Sequence, residues 1–196
     1  MACSSNQSQQ QSKNISVEKL FMSAEPEPTM IELFQYNHWA NQELIAICMG
    51  LRDEMMTASS PGSYGSILQT FAHILKAESS FLKRIHGIYP EPDFRWEDHP
   101  GLSQMAAYEA ALNNALLDTL QNVPTTQNVH EEGNGWTFDY QVRLIFMSVV
   151  YHGIAHRTDI TTILNGKGVH LPELDVWGYG SAHPERFQSK ISKVGK

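Results

Sequence analysis

YQVRLIFMSVVYHGIAHRTDITTILN, residues 140–165, runs without a proline and is followed by Gly166. Ile145, Val149, Ile160 and Ile163 lie on one face of an α-helical wheel, and the spacing predicts a long amphipathic helix stopped by that glycine. Stepping by threes and fours along the same face from Val149 reaches His152 and His156, so two histidines are expected at core positions. A buried imidazole needs partners for both ring nitrogens. His-x-x-x-His places two rings one turn apart on one face, within reach of a single metal ion at ~2.0–2.1 Å each. Two hydrogen-bonded core histidines, or a pair lining a wet groove, fit the spacing equally well.

Working back from this helix, Asn134-Gly135 lies between Val129 and Tyr140 with Trp136 and Phe138 in alternation, the pattern of a short hairpin or ordered turn. Ser103 is the expected cap of a third helix carrying Tyr108, Leu112, Ala115, Leu116 and Leu120, stopped ahead of Pro124. Residues 88–102, with Pro90, Pro92 and Pro100, read as a long irregular connection anchored by Phe94 and Trp96. The second helix follows the turn Ser63-Tyr64-Gly65-Ser66, carries Ile67, Phe71, Ile74, Phe81 or Leu82, and Ile85 on one face, and ends at Gly87. The first is expected to start at Thr29, where Thr29-Met30-Ile31-Glu32 has the form of a capping box, with Leu33, Tyr36, Ala40, Leu44, Ile47 and Leu51 as its stripe.

Each of these four helices has one apolar stripe, and the stripes can be buried only against one another. The expected fold is therefore all-α: an antiparallel four-helix bundle over residues 29–180 with a short hairpin before the last helix. Residues 1–28, rich in Ser, Gln and Asn and closing in Glu25-Pro26-Glu27-Pro28, read as a flexible tail. A non-helical, proline-containing segment is expected after Gly166, with 181–196 as a C-terminal tail.

Composition limits the function. The chain of 196 residues, 41% hydrophobic and 18% charged, suits one domain. Its net charge of −7, without a Lys/Arg cluster, argues against nucleic acid as a partner. No run approaches the ~18 apolar residues of a membrane span, and Cys3 and Cys48 form neither a disulfide framework nor a Cys-x-x-Cys pair. A cytoplasmic protein acting on a small molecule is the expectation.

A third ligand must come from another helix. His73 lies to one side of the second helix's stripe, flanked by Thr70, Ala77 and Ser80, whereas Glu78 lies nearer its centre. Physical reasoning leaves both open. His38 falls nearly opposite the first helix's stripe and reads as solvated or interfacial. His86, His99, His130, His170 and His183 lie at helix ends or in loops and are assigned no role.

Several segments, taken in order over residues 30–179, resemble the DinB-like family of metal-binding four-helix bundles. They are Tyr36-Asn37-His38-Trp39-Ala40-Asn41; Phe71-Ala72-His73-Ile74 with Ala77-Glu78; Tyr151-His152-Gly153-Ile154-Ala155-His156-Arg157; and Leu171-Pro172-Glu173-Leu174-Asp175. The resemblance implies a three-histidine site on His73, His152 and His156 holding a divalent ion, zinc or nickel, with water completing its coordination. Asp159 stands where Gln is common in the family, and a carboxylate there can orient a ligand ring or a bound water. The resemblance further implies a thiol-dependent S-transferase or isomerase, in which the metal activates a low-molecular-weight thiol for attack on an electrophile. A metal-dependent hydrolase, with Asp159 or Glu78 handling the proton, is the second reading, and a non-catalytic, stress-associated metal-binding homodimer is the third. Aromatic residues such as Tyr36, Trp39, Trp136, Tyr151 and Trp177 are candidates to line a pocket, or to lie in the core.

Overall fold

Pro28 opens the first helix, α1 (Pro28–Met49), where its fixed φ and missing N–H suit an initial turn. Thr29, the expected cap, therefore lies inside the helix. The computed structural model describes residues 28–92 and 100–187, so the expected N-terminal tail, the anchors Phe94 and Trp96, and His99 lie almost wholly outside the described residues.

A one-turn helix, α2 (Asp53–Met56), leads to α3 (Ile67–His86). Ser66 caps α3 through a reciprocal capping box with Gln69, and Gly87 closes it in the left-handed conformation at φ 79°. Replacing the Ser66 side chain should matter: Ser66→Ala is expected to cost about 1 kcal/mol in urea unfolding. The next helix, α4 (Leu102–Asn122), starts from Gly101 without a side-chain cap, so Ser103 is not the cap expected of it.

The hairpin forms as β1 (Asn128–Gly133) and β2 (Trp136–Gln141), antiparallel, with Gly133 opposite Trp136 and Asn134-Gly135 as the two-residue turn. Gly135 has φ 82°, a conformation that favours glycine. Tyr140 donates to Glu131, which pairs with Arg84 of α3 at 3.1 Å and so ties the hairpin to that helix. Helix α5 (Val142–Gly166) continues directly from β2.

The expected non-helical segment after Gly166 is helical in part: α6 (Val176–Ala182) and α7 (Pro184–Phe187) follow it. Asp175 caps α6 by accepting from the amides of Trp177 and Gly178 at 2.9 and 2.8 Å. Tyr179 then packs on Tyr36 and Trp39, and Arg186 grips Glu32 at 2.8 Å, fastening this end of the chain to α1.

Among the described residues the protein is mostly helical with one two-stranded sheet. Helices α1 and α3 each pack against both α4 and α5. The core between them includes Phe34, Leu44 and Ile45 of α1, Ile67, Phe71 and Ile74 of α3, Leu112 and Leu116 of α4, and Ile145, Phe146, Val149 and Ile160 of α5. Phe34 meets Phe146 edge to face at 5.4 Å.

The buried face of α1 is rotated from the expected stripe. Tyr36, Ala40 and Leu44 are buried, but Leu33 and Ile47 are only half-buried, and Asn37 and Asn41 occupy interior positions beside Phe34 and Ile45.

Candidate metal centre

On α5 the most deeply buried row runs Val149, Gly153, Arg157, Ile160. His152 and His156 lie one residue to the side of that row and are half-buried, so they stand at the rim of the core rather than in it. That rim faces α3, which supplies His73, also half-buried. The structure thus brings His73, His152 and His156 together, with one ligand atom from each lying within 4.8 Å of the others.

The details fit a divalent cation. Nε2 of His152 lies 3.0 Å from Nε2 of His73, and Nδ1 of His152 is buried with no hydrogen-bond partner. Two facing imidazole nitrogens need either a shared proton or a shared cation. Burial, reinforced by the charge of His156 and then of His73, lowers the His152 pKa to about 4. Burial also lowers that of His73, with His156 and Lys76 acting in the same direction. Both rings are therefore neutral near pH 7, the form that ligates a metal.

The third ring is oriented by a carboxylate. His156 Nδ1 lies 3.1 Å from Oδ2 of Asp159, which also accepts from the Tyr64 amide at 3.3 Å. With the ring proton on Nδ1, the lone pair falls on Nε2, the division of labour common where a carboxylate backs a ligating histidine. Asp159→Ala is accordingly expected to weaken zinc binding by about 10–100-fold, as read by chelator competition.

Aromatic rings frame the group. Tyr64 stacks on His73 with centroids 3.8 Å apart and planes at 15°, and meets His156 edge-on at 5.3 Å. Phe81 stands perpendicular to His152 at 6.0 Å. In the sequence Tyr64 reads only as a turn residue; its one signal is an aromatic side chain placed just ahead of the cap of the His73 helix.

Glu78, the other candidate from α3, is not part of the histidine group. It is buried and accepts from Asn37 Nδ2 at 2.8 Å. Burial, then the nearby Glu109, pushes its carboxyl up to about 7. His38 is not free in solvent: half-buried, it bonds Glu109 of α4 at 2.7 Å, which raises its pKa. His86 bonds Thr119 at 2.8 Å, His130 bonds Asp139 at 2.7 Å, and Nδ1 of His183 bonds the Tyr179 carbonyl at 3.0 Å. Of the aromatic pocket candidates, Tyr36 is buried, Trp39 half-buried, and Trp136, Tyr151 and Trp177 exposed.

The model of the DinB family matches residues 21–187. The chain belongs to the DinB family. The match extends beyond the 30–179 expected from motifs, taking in the end of α6, α7 and part of the expected N-terminal tail. This DinB family chain is also similar to an uncharacterized Bacillus subtilis protein, YizA, at 22% identity over 148 residues, 76% of this chain and 85% of that one. No helix among the described residues is long and apolar enough to cross a membrane.

Proposed function

We propose that this DinB family protein holds one divalent ion, zinc or nickel, on His73, His152 and His156, and uses it to present a low-molecular-weight thiol to a small electrophilic substrate in the cytoplasm. The observation that carries the reading is the convergence of three imidazoles from two helices, two of them held neutral. Membership of a metal-binding family supports it. The scaffold in this reading is an antiparallel four-helix bundle of α1, α3, α4 and α5.

A bound ion would supply Lewis acidity, lowering the pKa of a coordinated thiol. The chain's own residues keep the ligand set neutral, through burial of His73 and His152, and fix the ring of His156 through Asp159. Cys48 is unsuited to be the nucleophile: it is buried, and burial pushes its thiol up to about 12. In this reading the sulfur comes from a cosubstrate. Tyr64 and Phe81, flanking the rings, offer apolar surface to its substituents.

The test pairs elemental analysis of the native protein with turnover of a model electrophile in the presence and absence of low-molecular-weight thiols. Stoichiometric metal with thiol-dependent turnover is expected. Turnover without thiol would replace this reading with metal-assisted hydrolysis, and metal without any turnover would favour a non-catalytic role. The row of exposed Leu144, Met147, Tyr151 and Ile154 along α5 supports a homodimer, which sedimentation velocity would test.

A further inference from the structure

The three histidines come from α3 and α5, so their mutual geometry depends on how those two helices are held at this level. A directional tie between them runs through α1. Asn37 Nδ2 donates to Glu78 Oε1 of α3 at 2.8 Å, and Asn37 Oδ1 accepts from Arg157 Nη1 of α5 at 2.7 Å. Glu78 lies on the helix of His73, and Arg157 directly follows His156. All three members are buried, at 3%, 1% and 4% exposure for Asn37, Glu78 and Arg157.

The residue types follow from the task. One end of the Asn37 side chain must donate and the other accept, which an amide does and a carboxylate cannot. In a buried setting each of these bonds is costly to break, because the group left behind is unsatisfied. Arg157 is further located by Asn41 Oδ1 at 2.8 Å and by the Tyr36 ring beneath its guanidinium.

Gly153 leaves room for the tie. A Cβ there would stand 2.3 Å from Asn37 Oδ1 and 2.7 Å from Arg157 Nη1. The close approach of α1 to α5 therefore occurs beside His152, between the two histidines of α5. We infer that Asn37, bridging Arg157 to Glu78 over Gly153, is a positioning residue for the three-histidine centre. The inference rests on the reading that this centre binds a metal. It gives the interior polar residues of α1 a purpose that core packing does not require. Moving Arg157 moves His156, its neighbour on the helix, whereas a coordination site tolerates displacements of only ~0.5 Å.

The experiment measures zinc affinity of the full chain by chelator competition, together with the visible spectrum of the cobalt(II)-loaded protein and the melting temperature. Asn37→Ala is expected to weaken zinc by about 10–100-fold and to shift the cobalt bands. Tyr108→Phe, which removes the buried bond to Ser79 between α4 and α3, is the control: it lowers the melting temperature while leaving affinity and spectrum unchanged. Glu78→Gln keeps an acceptor for Asn37 and should bind zinc as the native protein does, whereas Glu78→Leu should weaken zinc in the manner of Asn37→Ala. If Asn37→Ala does not fold, Asn37→Ser, too short to span both partners, carries the same test. Tight zinc binding by the native protein with no greater loss in the Asn37 variants than in Tyr108→Phe would overturn the inference and leave the centre standing. Absence of zinc from the native protein after reloading would overturn the centre, and this role with it.

Discussion

His152→Ala is expected to abolish near-stoichiometric metal binding, with zinc affinity falling by more than the roughly 10–100-fold typical of removing a supporting residue. The reason is the ligand count. With three imidazoles from two helices, loss of one leaves two protein ligands, fewer than zinc sites ordinarily keep. His73→Ala and His156→Ala should act alike, and His170→Ala, on an exposed residue outside the group, should have no effect. Elemental analysis after reloading reads the content, and isothermal titration the affinity. The consequence for stability is bounded by mass action: an ion present at a thousand times its Kd stabilises the folded state by about 4 kcal/mol. The variant loses that increment but not its fold, because the core of Phe34, Phe71, Leu112, Ile145 and Phe146 is built without the rings. Full metal retention in all three variants would sink the site.

How much of this was readable in advance depended on which physical signal each residue gives. Helix α3 was legible because Ser66, an apolar row interrupted only at Glu78, and Gly87 agree with one another. The hairpin was legible because Asn-Gly between alternating residues has one favoured geometry. The stripe of α1 was misplaced because periodicity counts apolar side chains, whereas Asn37 and Asn41 are buried through hydrogen bonds that only the tertiary structure supplies. Helices α6 and α7 were missed for a related reason. Both are short, α6 has two glycines in seven residues, and what fixes them is the Asp175 cap of α6 together with the contacts of Tyr179 and Arg186 on α1, over a hundred residues away.

The histidine group shows the same division. Its spacing on α5 was visible, but the expectation of core positions placed it one row too deep, since Gly153 and Arg157 occupy the interior. On α3, helical geometry favoured Glu78 as the residue nearer the centre, and Glu78 is indeed the buried one. Burial and membership of the histidine group are separate properties: the half-buried His73 meets His152 and His156, while the interior carboxyl turns to Asn37. Helical geometry left both residues open, and only the family resemblance decided for His73.

That interior carboxyl leads to an expected pH dependence. In the unfolded chain Glu78 titrates near 4.5; in the folded protein burial, aided by Glu109 and opposed by the Asn37 bond and by Arg157, moves it to about 7. Between those values the folded state holds a proton that the unfolded state has lost, so stability falls as pH rises. The contribution is fully present below about 4.5 and is gone above about 7. At about 1.4 kcal/mol per unit, the change is on the order of 3 kcal/mol. His152 acts in the opposite direction in the acid part of this range: its folded pKa is lowered to about 4, so its contribution to stability grows as pH rises toward 6.5. The effect of Glu78 is therefore read as a difference. Glu78→Gln keeps an acceptor for Asn37 and cannot ionise. Urea unfolding of the metal-free native protein and this variant at pH 5, 6, 7 and 8 should show the native protein losing ground to the variant by on the order of 3 kcal/mol across the series. Parallel curves would mean that Glu78 is ionised throughout, its charge compensated by Arg157 across Asn37. The tie between α3 and α5 would then be an ion pair bridged by an amide rather than a neutral acid locked in the core.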